Sequence, residues 1–161
     1  MSKSPLHLIL PLLGKTKQAY LAAGVEDFQT RMGRFARLTV RILREKRYSA
    51  KVPDATIRRE EGRLLLDQVT PGSLVVALAP AGRELASEEL AELLTRWEEQ
   101  GKKEVCFLIG GAVGLAPEVL ARADLLLSLS RMTFTHEMAR LILLEQLYRA
   151  FAIRARTGYH K

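Results

Sequence analysis

Apolar runs alternate with amphipathic stretches along nearly the whole chain. Leu6–Leu13 is a short, almost wholly apolar run closed by Gly14, and it predicts a strand. Lys17–Phe35 has helical periodicity despite Gly24 and Gly33. Arg37-Leu-Thr-Val-Arg-Ile-Leu43 alternates polar and apolar for most of its length, the period of a half-exposed strand. After a polar loop over Lys46–Val52, Pro53-Asp54 opens a second helix, with Asp54 as its expected N-cap, and the helix runs to about Val69. Thr70-Pro-Gly-Ser73 is a turn, and Leu74–Leu78 a strand. Ser87 is the expected cap of a third helix with Glu88 and Glu89 in its first turn, and Gly101 ends it. Val105–Ile109 and Leu125–Leu129 read as buried strands flanking a short helix, Pro117–Arg122, that starts on proline. Thr135 is the expected cap of a long final helix reaching about Arg154.

Strands and helices in alternation predict an α/β fold, a mostly parallel sheet with helices on both faces. No linker, repeat or low-complexity segment interrupts the pattern, so residues 1–161 are expected to form one domain. The final helix departs from the usual single apolar stripe. Met138–Ile153 is apolar nearly all round, broken mainly by Arg140, Glu145, Gln146 and Arg149. Such a helix is buried on several sides, either against a second copy of the chain or at the centre of a monomer.

Charge narrows the partner. The net charge is +7, and residues 31–59 hold ten Arg or Lys against two acids, Glu45 and Asp54. From Gln146 to Lys161 there are four cations and no acid. Two basic regions on a chain that is otherwise net acidic suit a polyphosphate partner. The single cysteine, Cys106, lies in an apolar run, which excludes an intrachain disulfide and leaves an inert thiol. Leu6–Leu13 is short for a signal segment and follows only Lys3, and no apolar run approaches the ~20 residues that span a bilayer. A cytoplasmic protein without membrane contact is expected.

Candidate chemistry gathers in the last third. Gly110-Gly-Ala-Val-Gly114 follows a strand, and glycines let backbone N–H groups approach a ligand closely. It is neither a Walker A loop nor a dinucleotide fingerprint, and alone it reads first as a plain strand-to-helix turn. Ser128–His136 adds hydroxyls and backbone groups at the next strand end. The two loops together suit an adenosine-like ligand, because strand ends of parallel sheets are where α/β proteins bind. His136 is either a ligand contact or a capping or solvent-facing residue. Arg149, on an apolar helix, needs a partner, either Glu145 one turn earlier or a bound anion. Tyr159-His160 is either a frayed tail or a stacking and titrating pair beside a nucleobase.

These residues, taken together, resemble the ribosomal RNA large subunit methyltransferase H family, small members of the SPOUT class. The resemblance spans essentially the whole chain. It rests on Gly14-Lys15, Glu61-Gly-Arg63, Leu108-Ile-Gly-Gly-Ala-Val-Gly-Leu115, Leu127-Ser-Leu-Ser-Arg-Met-Thr-Phe134, Glu145-Gln-Leu-Tyr-Arg-Ala150 and Tyr159-His160. Thr135 stands where the family usually has proline, and Ala79-Pro80-Ala81 also departs from its pattern. The resemblance implies a C-terminal trefoil knot, a homodimer and S-adenosylmethionine as methyl donor, with no metal. The implied reaction is N3-methylation of a pseudouridine in the helix 69 region of 23S ribosomal RNA, on the assembled ribosome. The implied cofactor residues are Leu78, Gly110, Gly111, Leu129, Ser130, Arg131, Met132, Thr133 and Phe134; those near the target base are Arg149, Tyr159 and His160.

In that reaction an imide nitrogen must lose its proton. His160 is the candidate base, since imidazole exchanges protons near neutrality. Arg149 is the candidate stabiliser of charge on the base carbonyls, and a helix fixes it better than a tail fixes His160. Two other classes fit parts of the sequence. A noncatalytic ribosome-associated RNA-binding protein needs only the basic segment, and a small-molecule nucleotide enzyme needs only the glycine loops.

Overall fold

The computed structural model describes residues 2–161. Five strands form one parallel sheet: β1 (His7–Leu13), β2 (Arg37–Leu43), β3 (Leu74–Glu84), β4 (Glu104–Leu108) and β5 (Leu125–Ser128), in the order β2-β1-β4-β3-β5. The helices between them are α1 (Ala19–Met32), α2 (Asp54–Leu66), α3 (Ser87–Glu99) and α4 (Pro117–Arg122), and α5 (His136–Arg154) follows β5. The expected order of elements and the parallel sheet are both present. Because successive side chains point to opposite faces of a strand, the apolar runs feed two cores. Leu8, Leu10 and Leu12 of β1 join Val105 and Phe107 of β4 on the face covered by α1, α3 and α5. Ile9, Val75, Ala77, Cys106 and Leu108 form the other core, under α2 and α4. The Cys106 thiol is fully buried and its pKa is pushed up to about 12, burial being the main cause. The alternating segment Arg37–Leu43 is the edge strand β2, which leaves Arg37 and Ile42 in solvent.

Both expected caps at Asp54 and Ser87 fall one residue too late. Each is the first helical residue, preceded by Pro53 and Ala86 in extended conformation. At α3 the Glu89 carboxylate accepts the Ala86 N–H at 2.8 Å, so a side chain inside the first turn replaces the cap. At α5 the expectation holds: Thr135 Oγ1 accepts the Met138 N–H at 3.2 Å.

The nearly all-round apolarity of α5 is met within one chain. The helix lies between α1 and α3, with Leu143, Leu144, Leu147, Ala150 and Phe151 buried. Gly24 permits the α1–α5 approach, since a Cβ there would lie 2.8 Å from Leu141 Cδ1. Leu141, Ile142 and Ile153 stay half-buried on the same helix. Among the described residues, no helix is long and apolar enough to cross a membrane.

β3 is longer than the expected Leu74–Leu78. It pairs with β5 through Leu78↔Leu127, bulges, and pairs again at Arg83↔Leu127 and Glu84↔Ser128. Pro80 lacks an N–H and conceals this continuation in the sequence. Gly82 allows it, because a Cβ there would stand 2.7 Å from the Leu126 backbone. The buried Ser128 hydroxyl lies 3.0 Å from both Pro80 O and Ser130 O, tying the bulge to the loop after β5.

Candidate active site

The bulge within β3 and the loops after the C-terminal ends of β4 and β5 enclose one cleft of about 380 Å³. After β4 the chain turns sharply, and Gly114 adopts φ +81° and donates its N–H to Gly111 O at 3.1 Å. Gly110 packs so tightly into this turn that a Cβ would lie 2.7 Å from Gly114 C. The turn therefore needs glycine for steric reasons, and it presents backbone to the cleft. After β5 the Met132 N–H bonds Ser130 Oγ at 3.0 Å, which shapes the loop before α5. The bulge of β3 supplies the third wall through Leu78, Ala79 and Pro80.

Of the residues implied for the cofactor, Leu78, Gly110, Gly111, Leu129, Ser130, Met132, Thr133 and Phe134 line this cleft. Arg131 is not among them; its side chain is 89% exposed and pairs with Glu84 at 3.6 Å. Ile109, Leu115, Leu120 and Leu127 also line the cleft and were not among the residues implied for the cofactor. Their apolar side chains look like ordinary core, and only the tertiary fold turns them toward a cavity. Met132 and Phe134 stand at the mouth, large apolar side chains left in solvent.

The first turn of α5 is clamped to the end of β1. Buried Glu137 accepts the N–H groups of Lys17 at 2.8 Å and Gln18 at 3.0 Å. It thereby caps α1, whose own cap residue Gln18 makes no side-chain bond. Burial opposes the charge of Glu137, but these donors hold its pKa below the ordinary carboxylate value. Arg140, only 2% exposed, donates to Thr16 Oγ1 and to Leu13 O, each at 3.0 Å. The clamp fixes His136, which lines the cleft from the start of the helix. Burial, reinforced by the Arg140 cation, lowers the His136 pKa and favours the neutral ring.

Arg149 and Tyr159 sit together at the other end of α5. Arg149 Nε donates to Glu145 Oε1 at 3.0 Å, which resolves its expected partner in favour of Glu145. The guanidinium lies over the Tyr159 ring at 5.0 Å, and Tyr159 meets Tyr148 edge-on at 4.8 Å. The Glu145 carboxylate raises the Arg149 pKa. Tyr159 is thus packed rather than frayed, whereas His160 is exposed. Ten residues of helix separate Ala139 in the cleft wall from Arg149. At the α-helical rise that is about 15 Å along the axis, and Arg149, Tyr159 and His160 do not line the cleft.

Comparison with known proteins decides the family. Residues 6–160 match the family described as a predicted SPOUT methyltransferase. The chain belongs to the SPOUT methyltransferase family. Its relatives include proteins named ribosomal RNA large subunit methyltransferase H. The one from Desulfotalea psychrophila is 48% identical over 155 residues, covering 96% of this chain and 99% of the relative. That of Syntrophotalea carbinolica is 46% identical over 156 residues, with the same coverage. That of Clostridioides difficile is 41% identical over 160 residues, covering 97% of this chain and all of the relative. In this SPOUT methyltransferase, Thr135 gives α5 a side-chain cap that proline has no hydroxyl to make.

Proposed function

We propose that this protein methylates N3 of a pseudouridine in the helix 69 region of 23S ribosomal RNA, using S-adenosylmethionine, on the assembled ribosome. The observation that carries the reading is the convergence of the 110–114 and 129–134 loops on one cleft, in a SPOUT chain similar over its full length to ribosomal RNA methyltransferases. The cleft fits the cofactor. Its volume lies within the usual range for small-molecule sites, roughly 300–1,000 Å³, and its apolar walls and glycine backbone suit an adenosine. When bound, the cofactor supplies an electrophilic methyl group on sulfur. The chain's own part is alignment and exclusion of water. The clamped start of α5 and the tied bulge of β3 hold the cleft walls in place before any ligand arrives.

The Arg149 guanidinium, oriented by Glu145 and Tyr159, stabilises negative charge on the carbonyl oxygens of the target base. His160 accepts the imide proton at a ring nitrogen. The ~15 Å between cleft and cluster supports a homodimer in which the tail of a second copy serves each cleft. The trefoil knot belongs to the same proposal. Its support is the path of α5, which leaves the edge strand β5 yet packs back between α1 and α3. The basic 31–59 segment contacts ribosomal phosphates, and recognition rests on the shape of the ribosome. The same work places the protein in the cytoplasm.

The test is transfer of radiolabelled methyl from S-adenosylmethionine to ribosomes lacking the modification, with subunits and free RNA alongside. Label on one pseudouridine, seen with assembled ribosomes, is the expected result. Equal labelling of naked RNA would overturn the dependence on ribosome shape. Cofactor binding without label would overturn the substrate. Loss of both would favour a noncatalytic RNA-binding protein.

A further inference from the structure

A second, smaller cavity of about 120 Å³ adjoins the cleft and shares Gly111, Ala112 and His136 with it. Its other walls come from the loop after β2 and from α2. They carry both signs of charge: Glu61 from α2, and Arg44, Glu45 and Lys46 from the loop, where Glu45 pairs with Lys17 and Lys46 with Glu60, so that Arg44 is the loop cation without an acid partner among the described residues. Two polar atoms here lack any hydrogen-bond partner although buried, Glu61 Oε1 and the Tyr48 hydroxyl. The Glu61 carboxylate lies at the junction with the cleft, since a Cβ on Gly111 would stand 2.9 Å from its Oε2. Gly111 therefore leaves the space the carboxylate needs. Burial lifts the Glu61 pKa above the usual carboxylate range. Burial and the neighbouring Glu60 carboxylate push Tyr48 up to about 12.

A buried carboxylate oxygen without a donor is costly and is best satisfied by a cationic N–H. The Arg44 cation on the loop calls for an anionic oxygen. A phosphate would meet Glu61 with like charge, and a neutral base would leave both charges unmatched. A zwitterion satisfies both at once. We propose that this cavity is the subsite for the α-amino-acid end of S-adenosylmethionine, with Glu61 accepting from the ammonium and with Arg44 and the Tyr48 hydroxyl donating to the carboxylate. The inference rests on the reading of the adjoining cleft as the adenosine site. It gives Glu61 a binding role, 50 positions away in sequence from the glycine it touches.

The test is calorimetric, on the full chain, with S-adenosylhomocysteine and with methylthioadenosine, which lacks the amino-acid end. Wild type is expected to bind S-adenosylhomocysteine about tenfold more tightly or better, the worth of one charge-assisted hydrogen bond. Glu61→Gln is expected to weaken S-adenosylhomocysteine about tenfold and to leave methylthioadenosine unchanged. Arg44→Ala, at an exposed position that does not threaten folding, is expected to act in the same selective way. Equal wild-type affinity for the two compounds overturns the proposal while leaving the adenosine cleft standing. Unchanged binding in both variants, with methyl transfer slowed, overturns it too and gives the cavity to the target nucleotide. Binding of neither compound by wild type overturns both the subsite and the cofactor reading.

Discussion

At its first turn α5 closes a cleft made largely of backbone and apolar walls, while at its last turns it carries a cluster made of side chains. The first end is held by buried polar bonds, Glu137 to the start of α1 and Arg140 to the end of β1. The Arg149–Tyr159 cluster at the second is half-buried and held by the Glu145 carboxylate, which pairs with Arg149 and accepts from the Tyr159 hydroxyl, and by the Tyr159 ring against Arg149 and Tyr148. Backbone walls packed as closely as Gly110 on Gly114 can change little without losing the fold. A guanidinium over a tyrosine ring can be removed with the sheet untouched. Damage at the first end should therefore appear in stability and ligand affinity, and damage at the second in rate.

The sharpest separation comes from Arg149→Ala. Methyl transfer is expected to fall on the order of 100- to 1,000-fold, as for loss of one preorganised charge stabiliser, with cofactor affinity unchanged by calorimetry. Mixing that variant with a protein whose cleft is blocked should partly restore transfer if the two ends meet across a dimer. No restoration would argue for a cluster that serves no second cleft. Arg140→Leu should do the reverse. Two part-buried acceptors lose their charged donor, and urea unfolding should show a loss of about 2–3 kcal/mol. Equal stability of variant and wild type would mean the clamp holds nothing.

Thr135→Ala is a milder probe of the same end. Loss of its bond to the Met138 N–H should cost about 1 kcal/mol, read as a lower Tm. The smallest effect concerns His136. Its folded pKa is lowered, so its stabilising contribution is complete above the unfolded value of 6.5 and is lost as pH falls through the lowered one. Between pH 7.5 and 5.5 the wild-type Tm should drop more than that of His136→Asn. Parallel profiles would remove His136 from the account.

The comparison also marks what the sequence could reveal. Each apolar run produced its strand, because burial on a parallel sheet writes directly into composition. The glycines and loops of the cleft were legible for the same reason: they follow those strands. The extension of β3 was not, since Pro80 and Gly82 break the strand pattern, and the pairing partner is 44 residues beyond Gly82, at Leu126. The small charged cavity was hidden because Tyr48, Glu61 and Gly111 meet only in three dimensions. The two missed caps reflect a local ambiguity. Asp and Ser suit both the cap and the position after it, and only backbone conformation separates them.

Cys106 turns the sheet into its own reporter. The chain has one sulfhydryl, enclosed between β1 and β3 and kept protonated. A thiol-reactive dye can label it only after the central strands part. The labelling rate under native conditions therefore counts global openings of the molecule, with no engineered probe. An added S-adenosylmethionine analogue that grips the bulge of β3 and the loop after β4 should slow that clock in proportion to its affinity.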